Sequence, residues 1–125
     1  MKVLIVDDNP GYRATLRSLL ADRFPAVEVA EAPSEADGLA QALSPAHDLV
    51  FVDLRLQNGS GFALMKAIKE ACPRCIVCVI SNYALPEYRS AAFESGADLF
   101  LDKGEATASD ILAVVESVLQ SVTRG

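Results

Sequence analysis

The sequence predicts an α/β protein with a doubly wound, parallel, five-stranded sheet, and two observations support that prediction. Five short apolar runs alternate with five longer segments whose apolar residues recur at helical spacing. Three of the runs are apolar at nearly every position, as expected for strands covered by helices on both faces. Strands and helices that alternate in this way, with right-handed crossovers, form an open sheet between two helical layers.

The predicted strands are rich in Val, Ile, Leu and Phe, and no linker or low-complexity segment separates them. In chain order they are residues 2–6, 26–30, 49–52, 75–80 and 97–101. The first, third and fourth belong in the middle of the sheet because they are apolar at nearly every position. The second alternates around Glu28 and the fifth contains Asp98, so both are predicted at the edges.

Each predicted helix begins at a recognisable start signal. These signals are Asn9 before Pro10, Pro33, Ser60, Pro86, and Thr107 with Asp110 three residues later. The fourth helix has the weakest apolar face, in which Ala91, Ala92 and Phe93 are the main anchors. We therefore expect it to be the least firmly held of the five.

Length and composition favour one domain that spans residues 1–125. The chain has 125 residues, of which 51% are hydrophobic, enough for one continuous core. Its net charge of −6, without a basic block, disfavours direct binding of nucleic acid or anionic membranes. No apolar run approaches the ~20 residues of a membrane span, and the early acidic residues do not fit a signal peptide. A cytoplasmic protein is expected.

The three cysteines and the single histidine are interpreted as structural residues. An odd number of cysteines argues against a disulfide framework. Cys72, Cys75 and Cys78 have a metal-like spacing, but residues three apart in a strand face opposite sides, so Cys75 and Cys78 cannot share a metal. They are predicted to be core residues, and His47 to be a solvated loop residue.

The side chains that follow the predicted strands should meet, because the ligand site of such a sheet lies beyond the carboxyl ends of its strands. They are Asp7 and Asp8, Asp53, Ser81 and Lys103. Each of these alone is compatible with a cap, a turn or a solvated residue, but together they indicate a site. Clustered carboxylates require a cation, and hard oxygen ligands suit Mg²⁺, which often shares its shell with phosphate oxygens.

The same residues suggest phosphoryl chemistry. Lys103 and Ser81 are placed to hold phosphoryl oxygens, and the carboxylate of Asp53 is free to attack phosphorus.

At this point the chain resembles the receiver domain of two-component response regulators, the CheY-like superfamily. The resemblance extends over essentially the whole chain and rests on six motifs. These are Asp7-Asp8 after an apolar strand, Asp53 within residues 49–56, the Gly59-Ser60-Gly61 turn, Ser81 after Val79-Ile80, Gly96-Ala97-Asp98, and Phe100 three residues before Lys103. It implies a flavodoxin-like (βα)5 fold with strand order 2-1-3-4-5.

The resemblance also implies the function and the role of each site residue. Asp53 would be the phosphoacceptor for a sensor histidine kinase or phosphotransfer protein, with Asp7, Asp8 and Asp53 at the Mg²⁺ ion. Ser81 and Lys103 would contact the phosphoryl group, and Phe100 would be the aromatic rotamer switch. Such a domain phosphorylates and dephosphorylates itself and is not a turnover enzyme. Its output face would comprise the fourth helix, the fifth strand and the fifth helix.

Some positions near the site depart from the usual pattern. Gln57 and Gly104 stand where many receivers have proline, so both loops are expected to be less rigid. Asn82 stands where small residues are usual, and Arg55 and Tyr83 flank the site. Larger side chains there would hinder the water that hydrolyses an acyl phosphate, so we predict slow self-dephosphorylation.

Other functions fit less well. A Mg²⁺-dependent phosphatase with an aspartate nucleophile needs an acid two residues after Asp53, where Arg55 stands. Flavin or dinucleotide binding is disfavoured because the acidic turn at residues 7–10 would repel phosphate. A pseudo-receiver that acts only as an interaction module is less favoured because the expected site residues are all present.

The output of the domain is left open between two readings. The chain would be a monomeric or weakly dimeric receiver that acts on a downstream protein, or the N-terminal receiver of a DNA-binding regulator whose effector domain is missing. Residues 107–119 resemble receivers that precede a helix-turn-helix domain.

Overall fold

The computed structural model describes residues 1–43 and 46–124. Its elements, in chain order, are β1 (Lys2–Val6), α1 (Pro10–Arg23), β2 (Glu28–Ala32), α2 (Glu35–Ala42), β3 (Leu49–Val52), β4 (Arg55–Leu56), β5 (Gly59–Ser60), α3 (Gly61–Ala71), β6 (Ile76–Ser81), α4 (Pro86–Glu94), β7 (Leu99–Asp102) and α5 (Ala108–Arg124). Within the described ranges, none of these helices combines the length and apolar character needed to span a bilayer.

Five parallel strands form the central sheet in the order β2-β1-β3-β6-β7. This confirms the predicted order 2-1-3-4-5 once the short strands β4 and β5 are set aside, and it confirms that β2 and β7 lie at the edges. In the centre of the sheet, Val52 at the end of β3 pairs with Val6 of β1 and Val79 of β6. The carboxyl ends of these strands are therefore nearly level, and the residues that follow them are brought together.

The core has two layers, one on each face of the sheet. Side chains from α2, α3 and α4 fill one layer, and side chains from α1 and α5 fill the other. Cys75 lies in the first layer and Cys78 in the second, which confirms that they face opposite sides and are core residues. Burial raises the pKa of each of these thiols to about 12.

Three of the element starts that differ from the prediction do so for local reasons. β2 begins at Glu28 because the Val27 N–H donates to the Phe24 carbonyl and closes a turn before the strand. β7 begins at Leu99 because the Asp98 carboxylate accepts a hydrogen bond from the Val77 N–H at 2.9 Å instead of continuing the strand. α2 begins at Glu35 because the Ser34 side chain, and not Pro33, caps it.

An unpredicted feature is the two-stranded hairpin of β4 and β5, which follows Asp53. The Glu35 carboxylate accepts a hydrogen bond from the Ser60 N–H at 2.8 Å and fixes the hairpin to α2. Gly59 has a φ of +152°, and a Cβ there would lie 2.5 Å from Glu35 Oε1, so this position favours glycine. In this chain the hairpin, and not a proline at Gln57, shapes the loop.

Two further predictions were wrong. His47 is 9% exposed and not a solvated residue, because its N–H donates to the Ala42 carbonyl and draws the turn against the protein. Phe93 is 49% exposed and does not anchor α4. Ala92 faces the sheet, and the next residue of a helix is rotated away by about 100°.

Candidate functional site

Asp7 and Asp53 occupy adjacent positions at the carboxyl edge of the sheet. The Asp53 N–H donates to the Val6 carbonyl at 3.1 Å, and the Asp7 N–H donates to the Ala32 carbonyl at 3.1 Å. Each residue thus extends its strand by one hydrogen bond, which fixes the position of its Cα atom and the direction in which its side chain leaves the backbone. Asp7 is 3% exposed and Asp53 is 8% exposed. Two carboxylates are therefore held in a shallow, mostly desolvated pocket.

Lys103 joins the two carboxylates. Its ammonium Nζ lies 2.7 Å from Asp7 Oδ2 and 3.1 Å from Asp53 Oδ2, although these residues are 96 and 50 positions away in sequence. The backbone N–H of Lys103 donates to the Ser81 carbonyl at 2.9 Å. This hydrogen bond holds the backbone of Lys103 beside the end of β6. Asp7, Asp53 and Lys103 thus form one buried charge cluster.

Burial and charge act in opposite directions within this cluster. Burial raises the pKa of Asp7 above its ordinary value, and the hydrogen bond and charge of Lys103 offset that rise only in part. Burial alone would lower the pKa of Lys103, but the hydrogen bond that its ammonium donates to Asp7 and the charges of Asp53 and Asp7 raise it overall. Two carboxylates therefore compete for one ammonium.

Asp8 lies beside this cluster but is exposed. Among residues 1–43 and 46–124, no three His, Cys, Asp or Glu side chains are gathered closely enough to hold a metal ion. The three carboxylates and one ammonium leave two negative charges uncompensated. Carboxylate oxygens with that excess of negative charge are donors of the type that Mg²⁺ prefers, although the described side chains do not form a ready-made metal site.

The Ser81 side chain does not reach either carboxylate. Ser81 is fully buried at the end of β6, and its hydroxyl oxygen accepts a hydrogen bond from the Tyr83 N–H at 3.1 Å. The hydroxyl therefore closes the turn that leads from β6 to α4. Ser81 lies at the edge of the sheet, as the sequence predicts. Its hydroxyl, however, is hydrogen-bonded to the loop that follows β6 and not to the carboxylates.

Phe100 lies half-buried on β7 and packs against the core layer formed by α2, α3 and α4. The guanidinium carbon of Arg89 lies 4.7 Å from the centre of its ring. Arg89 Nε also donates to the Ala84 carbonyl at 3.0 Å. Phe100 is thus linked through Arg89 to the loop that follows Ser81.

Arg55, Asn82 and Tyr83 lie at the rim of the pocket. Arg55 Nη1 donates to the Tyr83 hydroxyl at 2.9 Å, and its guanidinium carbon lies 4.8 Å from the centre of the Tyr83 ring. The Tyr88 ring meets Tyr83 edge-on, with 5.8 Å between ring centres. Asn82 is exposed between Ser81 and this stack.

Sequence reasoning missed two residues that touch the charge cluster. The Tyr12 ring centre lies 4.1 Å from Lys103 Nζ, and Arg13 donates from Nη1 to the Asp7 carbonyl. The helical spacing of Tyr12, Leu16 and Leu20 predicts only that Tyr12 belongs to the apolar face of the first helix. The available signal was its position one helical turn after the acidic pair, at the sheet edge.

The fold and the pocket define a class, the doubly wound α/β domains with an acidic pocket at the carboxyl edge of a parallel sheet. Within that class, the model of the response regulator receiver domain matches residues 3–116, and the chain belongs to this family.

Comparison with individual proteins agrees with this assignment. The chain is 32% identical over 101 residues to the photosynthetic apparatus regulatory protein RegA of Cereibacter sphaeroides, covering 81% of this chain and 54% of RegA. The chain thus spans about half the length of that relative.

Two solved structures share the fold over nearly the whole chain. The receiver domain of NtrX from Brucella abortus superposes with a TM-score of 0.84 at 31% identity, covering 94% of this chain and 98% of that one. A response regulator from Burkholderia pseudomallei, solved with a phosphorylated aspartic acid, a calcium ion and citrate, has a TM-score of 0.83 at 28% identity, covering 98% of this chain and 71% of that one.

Proposed function

We propose that this chain is a single receiver domain, residues 1–125, that accepts a phosphoryl group on Asp53 from the phosphohistidine of a sensor histidine kinase or phosphotransfer protein. The observation that supports this most strongly is the contact of Asp53 Oδ2 with Lys103 Nζ at 3.1 Å, at the carboxyl edge of the sheet. A carboxylate at this place has an anion-binding ammonium beside it and an opening to solvent at the pocket rim.

The Asp53 carboxylate is the nucleophile of the proposed reaction. One carboxylate oxygen attacks phosphorus, and an O–P bond forms as the P–N bond to the donor imidazole breaks. The bonding pair stays on the imidazole nitrogen, which then takes a proton from solvent. The product is an aspartyl phosphate. Attack of water on its phosphorus later releases inorganic phosphate and restores the carboxylate, so the domain dephosphorylates itself.

The roles of the remaining site residues follow from the need to compensate negative charge. Bound Mg²⁺ would neutralise negative charge on the carboxylates and the incoming phosphoryl group. Asp7, Asp8 and Asp53 would hold it, because they supply the uncompensated oxygen donors of the pocket. Lys103 already contacts Asp53, and its ammonium would donate to a phosphoryl oxygen there.

Phosphorylation would switch the face formed by α4, β7 and α5. A dianionic group on Asp53 gives the Ser81 hydroxyl and Lys103 a new acceptor, so the Ser81 hydroxyl would turn away from the Tyr83 N–H. The loop between β6 and α4 would then move inward, and Phe100 would turn toward the core. A shift of a few kcal/mol is enough to change which conformation dominates.

The relatives support this proposal and bear on the output. The Burkholderia response regulator carries a phosphorylated aspartic acid with a calcium ion, a divalent cation. RegA is a longer regulatory protein, and this chain matches about half of it. The chain would act on a downstream output protein as a monomer or weak homodimer, or serve as the receiver of a DNA-binding transcriptional regulator.

Intact mass spectrometry after incubation with acetyl phosphate tests the phosphoacceptor role. We expect the protein to gain one phosphoryl group with MgCl₂ and none with EDTA, and we expect Asp53→Asn to gain none under either condition. Unmodified protein despite Mg²⁺ binding would point to a pseudo-receiver, and donor consumption with turnover would point to a phosphatase. Either result would contradict the proposal.

A further inference from the structure

We propose that Tyr12 is a positioning residue of the phosphoryl-transfer site, whose aromatic ring holds the Lys103 ammonium beside Asp53. This inference rests on the proposed function. In the described part of the chain, the Lys103 ammonium lies beside Asp7 Oδ2 at 2.7 Å, Asp53 Oδ2 at 3.1 Å, and the Tyr12 ring centre at 4.1 Å. Two of them are carboxylates and the third is an aromatic ring within cation–π distance.

The Tyr12 ring is itself fixed by the start of α1. Asn9 caps the helix, and its side-chain oxygen accepts a hydrogen bond from the Tyr12 N–H at 3.1 Å. Pro10 restricts the backbone between these residues. The ring is half-buried and packs against the core layer that contains Leu16. An ordered helix terminus therefore presents the ring to the ammonium.

Lys103 benefits from such a partner because its backbone hydrogen bond to Ser81 fixes only the base of a long side chain. Lysine carries its charge on a flexible four-carbon stem, and the exposed Gly104 follows it. A largely desolvated cation–π contact favours one position of the ammonium by about tenfold or more. Only 11% of the Lys103 side chain is exposed, so the contact is largely desolvated.

An aromatic ring suits this task better than another carboxylate. The ring face attracts the cation without adding a negative charge to a pocket that already has an excess of it. It also accepts no strong hydrogen bond, so the ammonium protons stay available for oxygens on Asp53 and on a group attached to it. Tyr12 would thus hold Lys103 in place while leaving it free to donate to the phosphoryl group.

The test compares three replacements of Tyr12 in the full chain. Tyr12→Phe keeps the ring, Tyr12→Leu keeps apolar volume without a ring, and pentafluorophenylalanine in place of Tyr12 keeps the shape but reverses the polarity of the ring face. With acetyl phosphate and MgCl₂, we expect Tyr12→Leu and the fluorinated protein to be phosphorylated about tenfold more slowly than wild type. We expect Tyr12→Phe to restore the rate to within about twofold.

A matched control lies at the other end of the same helix. Phe24, at the C-cap of α1, has the Arg23 guanidinium carbon 6.0 Å from its ring and is far from the charge cluster in sequence. Phe24→Leu should leave the phosphorylation rate unchanged. If the fluorinated protein matches Tyr12→Phe, the ring acts by packing alone and the inference is overturned.

A second readout separates this inference from the proposed function. The Lys103 side-chain ¹⁵N–¹H signal should be shifted by the Tyr12 ring current and exchange slowly with solvent, and Tyr12→Leu should abolish both properties. This NMR measurement requires no phosphorylation. An ordinary, fast-exchanging Lys103 signal in the wild-type protein would overturn the inference, whereas a failure of phosphorylation alone would overturn only the proposed function.

Discussion

Removal of the Lys103 ammonium would leave the buried carboxylates of Asp7 and Asp53 without their shared counter-charge. Lys103→Met should therefore lower the free energy of unfolding by about 3 kcal/mol in the absence of Mg²⁺. Urea unfolding at neutral pH measures this loss. Added MgCl₂ should recover part of it, because the cation binds the folded state.

Lys66→Met is a suitable control for this measurement. Lys66 is an exposed lysine on α3, and its loss should change the free energy of unfolding by no more than about 0.5 kcal/mol. If Lys103→Met were no more destabilising than Lys66→Met, the charge cluster would not have the energetic role that its geometry indicates.

The rim residues Arg55, Asn82 and Tyr83 are expected to prolong the life of the aspartyl phosphate. Arg55 and Tyr83 are joined by a 2.9 Å hydrogen bond and a cation–π contact, and side chains held together in this way would narrow the path of water to Asp53. Asn82→Ala and Tyr83→Ala should each shorten the phosphoryl half-life by about threefold or more. The half-life is followed by intact mass after removal of donor. Ser90→Ala, at an exposed position of α4, is the control. Unchanged half-lives would contradict slow dephosphorylation by a crowded rim.

Because of its buried thiols, the free energy of unfolding of this protein should depend on pH in the alkaline range. Cys78 has a pKa of about 12 when folded, against an ordinary value of 9.0. The folded state therefore retains its proton while the unfolded thiol loses it, so stability is present below pH 9 and falls as the pH rises toward 12. Between pH 8 and 10, wild type should lose about 1 kcal/mol more than Cys78→Ala. Equal slopes of unfolding free energy against pH would show that Cys78 ionises as easily in the folded state.

At the scale of elements, α4 is the helix most weakly attached to the sheet. All of α4 lies in the described part of the chain and Ala92 is its one buried residue, whereas α3 buries Leu64, Met65, Ile68 and Gly61. The backbone amides of α4 should exchange with deuterium faster than those in the middle of α3. Equal protection of the two helices would contradict this prediction and weaken the argument that α4 is the element that moves.

The bounds of the elements were predictable where the local sequence alone determines where a strand begins and ends. β1 and β3 have the predicted bounds because residues 3–6 and 49–52 are unbroken apolar runs flanked by polar residues. The edge strands shifted by two residues because Asp98 and the turn at Val27 use their backbone and side-chain groups in local hydrogen bonds. The hairpin of β4 and β5 depends on Glu35, a residue distant in sequence, so local patterns did not reveal it.

At the scale of the whole molecule, the parallel topology made the candidate site predictable. Strand ends meet at one edge in such a sheet, so Asp7, Asp53 and Lys103 were expected together and are within hydrogen-bond distance. Side-chain direction was not predictable in the same way. The Ser81 hydroxyl accepts a hydrogen bond from Tyr83, two residues along its own loop, and does not point to the carboxylates. The contact of Tyr12 with Lys103 joins separate elements, so no local pattern reveals it.

The most direct test of the central claim is to locate the phosphoryl group in the chain. After incubation with acetyl phosphate and MgCl₂, borohydride reduction converts an aspartyl phosphate to homoserine, which peptide mass spectrometry identifies by position. We predict homoserine at position 53 alone, and none at Asp7, at Asp8 or in Asp53→Asn. Modification at Asp7 or Asp8 instead, or equal modification of Asp53→Asn, would contradict the account of Asp53 as the phosphoacceptor.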